Sequence, residues 1–159
     1  MASELPSILE IAGPILASVP EAERPLFVAA VERIAARRYR GWAERESGDV
    51  RDRLLECADR EEEIAARIEA LYPDSGGVQA ALLAKHPDLE PAYRALFEGR
   101  GLADQYSIQA EGERLGASTW RGFAQAAATS AARQTFLDCA LLEEESAELL
   151  ETLAADHVG

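Results

Sequence analysis

Residues 54–71 read LLECADREEEIAARIEAL, and residues 136–153 read FLDCALLEEESAELLETL. The two stretches align without a gap and are identical at half of their positions. One helix earlier, residues 32–43 (ERIAARRYRGWA) align with residues 113–124 (ERLGASTWRGFA), again with half of the positions identical. Chance would match about one position in ten in a chain so rich in Ala, Glu and Arg. The two windows therefore indicate an internal duplication of a pair of helices.

The residue pattern predicts an all-α fold, because Ala, Leu, Glu and Arg dominate and no stretch alternates apolar and polar residues as a half-buried strand does. We expect one domain over residues 1–159, composed of an N-terminal helical segment (3–18) interrupted near Pro14, a first hairpin (21–71), a crossover (73–101) and a second hairpin (102–156).

Two such hairpins can bury both of their apolar faces by closing as an antiparallel four-helix bundle. A superhelical αα-solenoid is the alternative, although it usually needs about three repeats. The crossover is rich in Pro and Gly, so we expect it to lie outside the core. Gly112, Gly116 and Gly122 predict a weak or kinked third long helix.

The charge excludes several kinds of partner. A formal net charge of −13 repels phosphate backbones and anionic lipids, so we expect no nucleic-acid partner and no membrane partner. The N-terminus has no basic residues before its apolar run, and no apolar stretch is long enough to span a membrane. Two cysteines in such a chain are typical of reduced thiols. We therefore expect a cytoplasmic protein.

Each of the four long predicted helices carries one acidic residue within its apolar stripe. Glu61 lies at helical spacing between Cys57 and Ile64, and its counterpart Glu143 lies in the same position of the second repeat. The stripes of the other two helices contain Glu32 and Glu113. We refer to Glu32, Glu61, Glu113 and Glu143 as the inner acids.

Four ionised carboxylates in one core need a neutralising group, because burial costs several kcal/mol per charge. Divalent cations and shared protons are two possible neutralising groups. Arginines are the third, and four of them are matched across the repeat: Arg33 with Arg114, and Arg40 with Arg121. Facing helices of a bundle can bring carboxylate oxygens to one point, as a metal requires.

The pattern over residues 21–156 resembles the ferritin-like superfamily, which includes ferritins, rubrerythrins and related di-iron oxidases. That superfamily has two hairpins joined by a crossover, an inward Glu on the first and third helices, and Glu-x-x-His on the second and fourth. The resemblance implies that the inner acids bind a divalent metal, Fe or Mn, and that Tyr39 lies near it. The family's histidine positions hold Ile64 and Ser146 here. An all-oxygen site favours harder ions such as Mn, Mg or Ca.

Five further residues are candidates for a supporting or redox role near such a site: Tyr39, Cys57, Trp120, Cys139 and Ser146. In an antiparallel bundle the two thiols lie about 12 Å apart along the axis, one turn to either side of the acids, which is beyond the reach of a disulfide. The simpler interpretation is that the two cysteines are small buried residues that pack in the core. The aromatic residues are likewise most simply interpreted as core residues.

Two functions are consistent with this sequence. One is a ferritin-like bundle protein that binds divalent metal and supports oxidoreductase-like chemistry. The other is a metal-free bundle that serves as a structural or protein-interaction module. In either case we expect a homo-oligomer, with a dimer as the first candidate. In the second case the N-terminal segment (3–18) would form the dimer contact, and the alternative is that this segment packs on the main body of its own chain. The chain contains no nucleophile-base set, phosphate-binding loop or zinc-ligand spacing that points to another enzyme class.

Overall fold

The computed structural model describes residues 4–158, and the prediction of an all-α protein is confirmed. Helices account for most of residues 4–158, and this range contains no strand. The elements are α1 (Leu9–Ser18), a 3-10 turn (Glu21–Glu23), α2 (Arg24–Ala43), α3 (Gly48–Glu69), α4 (Ser75–Ala84), α5 (Leu89–Phe97), α6 (Leu102–Ala126) and α7 (Ser130–Val158). Residue 3, where the predicted N-terminal segment begins, lies outside the described residues, as do residues 1, 2 and 159 of the predicted domain.

The N-terminal helix differs from the prediction. It begins at Leu9 rather than near residue 3, and it continues through Pro14 instead of breaking there. Pro14 has no N–H group to donate to the carbonyl of Glu10, four residues earlier. Both residues are exposed, so water can donate to that carbonyl instead. The prediction of an interruption near Pro14 was therefore wrong. No residue of α1 is buried, so this helix lies on the surface of the main body.

The expectation that the crossover lies outside the core was also wrong. Leu89, Tyr93 and Phe97 of α5 and Leu82 of α4 are all buried. Leu89, Tyr93 and Phe97 recur every four residues and therefore form one apolar face of α5. This face is buried even though the connection is rich in Pro and Gly. These residues pack with Phe27 of α2 or with the adjacent bundle core.

Two apolar clusters divide the interior along its length. The Tyr39 cluster includes Tyr39, Trp42, Leu54, Cys57, Tyr106, Ile108 and Leu150. The Trp120 cluster includes Ala29, Ile64, Ile68, Ala117, Trp120, Phe136 and Cys139. The order in which each long helix contributes to the clusters gives its direction. Helices α3 and α6 run from the Tyr39 cluster to the Trp120 cluster, whereas α2 and α7 run the opposite way.

The long helices therefore pack in antiparallel pairs, α2 with α3 and α6 with α7, and the two pairs approach each other through α3 and α7. The backbones of α2 and α6 are further apart. Helix α6 runs without interruption from Leu102 to Ala126 despite its glycines. Within residues 4–158, no helix combines the length and the hydrophobicity that a membrane-spanning helix needs.

Candidate metal centre

The inner acids lie between the two apolar clusters, one from each long helix. The exposed fraction is 7% for Glu32, 0% for Glu61, and 1% for both Glu113 and Glu143. Acidic residues are almost never this buried unless they are paired, so each of the four needs a partner. The helical period places them there, because each replaces an apolar residue in the stripe that its helix buries.

Three of the inner acids converge on one point. Glu32, Glu61 and Glu143 each offer a carboxylate oxygen, and these oxygens all lie within 4.8 Å of one another. Two oxygens bound to the same cation at about 2.4 Å lie at most about 4.8 Å apart, and each pair of the three oxygens meets this condition. Glu113 is not part of this group.

Glu61 has no hydrogen-bond partner among residues 4–158. Both of its carboxyl oxygens are buried, and neither receives a donor. The carboxyl groups of Glu32 and Glu113 interact with it, but an ionised carboxylate has no proton to donate. A cation, a shared proton or an ordered water can satisfy Glu61, and of these only the first two also offset its charge.

Glu113 is held by hydrogen bonds instead. Its Oε1 accepts from the Tyr39 hydroxyl at 2.6 Å and from Gln109 Nε2 at 2.7 Å. Gln109 Oε1 in turn accepts from Arg38 Nη1 at 2.7 Å. This chain of donors satisfies one oxygen of Glu113 and fixes the position of the carboxylate beside the converging three.

Glu143 combines one hydrogen bond with close packing against α6. Its Oε1 accepts from Trp120 Nε1 at 2.8 Å. The same oxygen lies 2.6 Å from the position that a Cβ would occupy at Gly116. Any larger residue at 116 would therefore displace the Glu143 carboxylate or move α6, so the glycine is what lets this acid reach the interior layer.

Comparison of the chain with protein-family models, with curated proteins and with solved structures gave no match.

Burial makes the converging acids hard to ionise in the absence of a cation. It is the main cause that raises the pKa of Glu32 from 4.5 to about 7, and the nearby Glu113 carboxylate adds to this effect. Burial, followed by neighbouring inner acids, also raises the pKa of Glu61 and of Glu143 well above 4.5. A divalent cation would oppose all three shifts, because it favours the charged form of each acid.

The matched arginines do not neutralise the inner acids. Arg33 pairs with Glu62 and Glu69, Arg40 with Glu62, Arg114 with Glu151, and Arg121 with Glu144. These partners are partly exposed acids on the outer faces of α3 and α7. None of the four matched arginines therefore pairs with an inner acid, which leaves cations and shared protons as the neutralising groups for the three converging acids.

The other supporting candidates lie in the bundle interior but outside the converging group. Cys57 and Cys139 are buried free thiols in the Tyr39 and Trp120 clusters respectively, and neither joins the three converging carboxylates. Burial raises the pKa of the Cys57 thiol, and it raises that of Cys139 to about 12. Ser146 Oγ is buried and has no hydrogen-bond partner in the described part of the chain. Ile64 lies in the Trp120 cluster and provides no ligand.

The sequence interpretation missed two residues that shape the site. These are Gln109, which donates to Glu113, and Gly116, which the sequence predicts only to weaken its helix. Their four-residue spacing from Glu113 and Trp120 was a usable signal, because residues at i and i+4 of a helix face the same neighbour.

Proposed function

We propose that this protein binds a divalent metal ion through Glu32, Glu61 and Glu143, with Glu113 held beside the ion. The observation that supports this most is the state of Glu61, whose two buried oxygens have no donor among residues 4–158. A cation within reach of the three converging oxygens would satisfy Glu61 and offset the repulsion between the acids.

The ligands favour a hard ion, and the first candidate is Mn²⁺, with Fe²⁺ second. Every candidate ligand is a carboxylate oxygen, and the site has no imidazole or thiolate to favour softer ions. A bound Mn or Fe ion would supply one-electron redox chemistry, which is the basis for oxidoreductase-like activity. The chain itself orients the carboxylates: Tyr39 and Gln109 fix Glu113, and Trp120 fixes Glu143.

A divergent relationship to the ferritin-like superfamily, in the form of two duplicated hairpins, is part of this proposal. Its support in the structure is a set of ion pairs that recurs at equivalent positions of the two sequence repeats. Arg33 pairs with Glu69 as Arg114 does with Glu151, and Arg40 pairs with Glu62 as Arg121 does with Glu144. The loss of both histidines, at Ile64 and Ser146, sets this chain apart from the pattern of that superfamily.

A metal-free bundle in which the acids share protons is the second candidate. The raised pKa of Glu32, about 7, and the raised pKa values of Glu61 and Glu143 favour it, because protonated acids can hydrogen bond to one another. In that case the layer has a structural role. The expected homodimer stays a prediction, and α1 packs on the main body of its own chain.

Metal analysis and titration separate the two candidates. Protein purified without chelator, and stripped protein titrated with Mn²⁺ in a calorimeter, should each show about one ion per chain. Glu61→Gln and Glu143→Gln should abolish this binding, because each removes a charged ligand while keeping its shape. Glu63→Gln is the matched control, since Glu63 is exposed and pairs with Arg67 on the outer face of α3.

Retention of the ion by both inner variants, or the absence of saturable binding in the native protein, would contradict the metal proposal. The first result would mean that the ion binds to the acidic surface. The second would leave shared protons as the neutralising groups.

A further inference from the structure

The wide separation of α2 and α6 leaves a gap beside the inner acids. Long side chains bridge part of this gap: Tyr39 reaches Glu113, and Trp42 Nε1 donates to Gln105 Oε1 at 2.8 Å. Beyond these bridges, the gap is covered by α1, whose Ile8 end approaches Gly112 so closely that a Cβ there would lie 2.5 Å from Ile8 Cδ1. A cavity lies between α1, α2 and α6.

The cavity has a volume of about 90 Å³ and is mainly apolar. Its walls include Ala12 and Leu16 of α1, together with Phe27 and Val31 of α2. Glu32 and Glu113 also line it, so it opens directly onto the inner acids. A cavity of about 150 Å³ holds the six carbons of benzene, so this volume suits about four heavy atoms.

Polar groups lie along one side of the cavity. Tyr93 lines it, and its hydroxyl oxygen is buried without a hydrogen-bond partner in residues 4–158. Arg38 also lines it, half-buried over the Phe97 ring at 4.0 Å, with no carboxylate within 4 Å among the described residues. An unpaired buried hydroxyl beside guanidinium donors is suited to a ligand that carries its own hydrogen-bonding group.

We infer that this cavity binds a small uncharged aliphatic alcohol of about three carbons, with its chain against the α1 and α2 side chains and its hydroxyl at Tyr93. A hydroxyl group both donates and accepts, so it can bond to Tyr93, to Arg38 and to a Glu32 oxygen. An anion would meet Glu32 and Glu113, and an ammonium group would meet Arg38. Binding uses the cavity and not the ion, so it goes beyond the proposed metal site.

The path of entry is the face covered by α1. None of the residues of this helix is fully buried, although Ile11, Ile15 and Leu16 pack partly buried against the core, so a displacement of α1 can admit the ligand without opening the long helices. A substitution on the inner side of α1 can therefore fill the cavity without disturbing the long helices. Ala12 lines the cavity, whereas Ala17, five residues later, is exposed and does not.

The test is a titration of ¹⁵N-labelled protein with 1-propanol, propionate and propylammonium, followed by the amide shifts of Gly112, Gly116 and Ala35, which line the cavity. For about four heavy atoms we expect a Kd in the range of about 1–10 mM. Propanol should bind more tightly than either ion.

Variants locate the site and keep the test independent of the metal. Ala12→Leu should weaken propanol binding about tenfold by occupying the cavity, while Ala17→Leu should leave it unchanged. Tyr93→Phe should weaken it about three- to tenfold through the lost hydrogen bond, without loss of stability, since this hydroxyl has no partner in the described protein. Glu61→Gln, which removes the proposed metal ligand, should still bind propanol.

Several results would overturn the inference. One is tighter binding of propionate or propylammonium than of propanol, and another is amide shifts that do not saturate. The others are equal propanol affinity in the Ala12→Leu and Ala17→Leu variants, or native propanol affinity in Tyr93→Phe. Loss of metal binding alone would leave the inference intact.

Discussion

Replacing Glu61 with glutamine should make the metal-free protein more stable at neutral pH. Glu61 is 0% exposed, and its pKa in the folded state is raised well above 4.5 by burial and by the neighbouring acids. Glutamine has nearly the same shape, carries no charge, and brings an amide group that can donate to the adjacent carboxyl oxygens of Glu32 or Glu113.

The magnitude follows from the linkage of protonation to folding. Below pH 4.5 the acid is protonated in both the folded and the unfolded state, so the substitution has little effect. Above pH 4.5 the unfolded chain releases the proton that the folded protein keeps, and the native protein loses about 1.4 kcal/mol of stability per pH unit. This loss continues up to the raised folded-state pKa of Glu61, and Glu61→Gln avoids it.

Urea denaturation of chelator-treated protein between about pH 4.5 and 7 measures this difference. The free energy of unfolding of Glu61→Gln should exceed that of the native protein by an amount that grows with pH. The control Glu63→Gln lies on the exposed face of the same helix, and its free energy of unfolding should stay within about 0.5 kcal/mol of the native value. Mn²⁺ at about one hundred times Kd should raise the stability of the native protein by about 3 kcal/mol and leave that of Glu61→Gln unchanged, because only the native site binds the ion. A Glu61→Gln variant that is less stable than the native protein at pH 7 without metal would refute this reasoning.

Two further substitutions test how the site is built. Gly116→Ala should lower Mn²⁺ affinity at least about tenfold, because the new Cβ would lie 2.6 Å from Glu143 Oε1. Gly122→Ala is the control on the same helix, since a Cβ at residue 122 meets open space. It should raise the free energy of unfolding by about 0.5–1 kcal/mol and leave the Mn²⁺ affinity unchanged. Equal Mn²⁺ affinities of the two variants in calorimetry would contradict the role given to residue 116. Tyr39→Phe should cost about 1.5–3 kcal/mol in urea denaturation, since it removes the donor at 2.6 Å from buried Glu113; a neutral result would show that this hydrogen bond contributes little.

Much of the inner layer could be predicted from the sequence. A helical period of 3.6 residues places Glu61 in line with Cys57 and Ile64, so its burial follows from the apolar residues around it. The same pattern applies to Glu143 in α7. The all-α class follows from composition, because strong helix formers dominate and strand patterns are absent.

What the sequence could not determine depends on which helices are neighbours. Glu113 looks equivalent to the other inner acids, and only the approach of α2 shows that the Tyr39 hydroxyl donates to it beside the converging three. The pairing of Arg33 with Glu62 and Glu69 required the orientation of α2 against α3. The buried face of the crossover was missed because its Pro and Gly residues were weighed above the four-residue spacing that ends at Phe97.

Anomalous diffraction from crystals grown with Mn²⁺, recorded on both sides of the manganese absorption edge, tests the metal site most directly. We predict one strong peak between the carboxylates of Glu32, Glu61 and Glu143, at about 2.1–2.4 Å from an oxygen of each. A map without a peak at that position, in which the same carboxyl groups instead lie in hydrogen-bonding contact through shared protons, would contradict it.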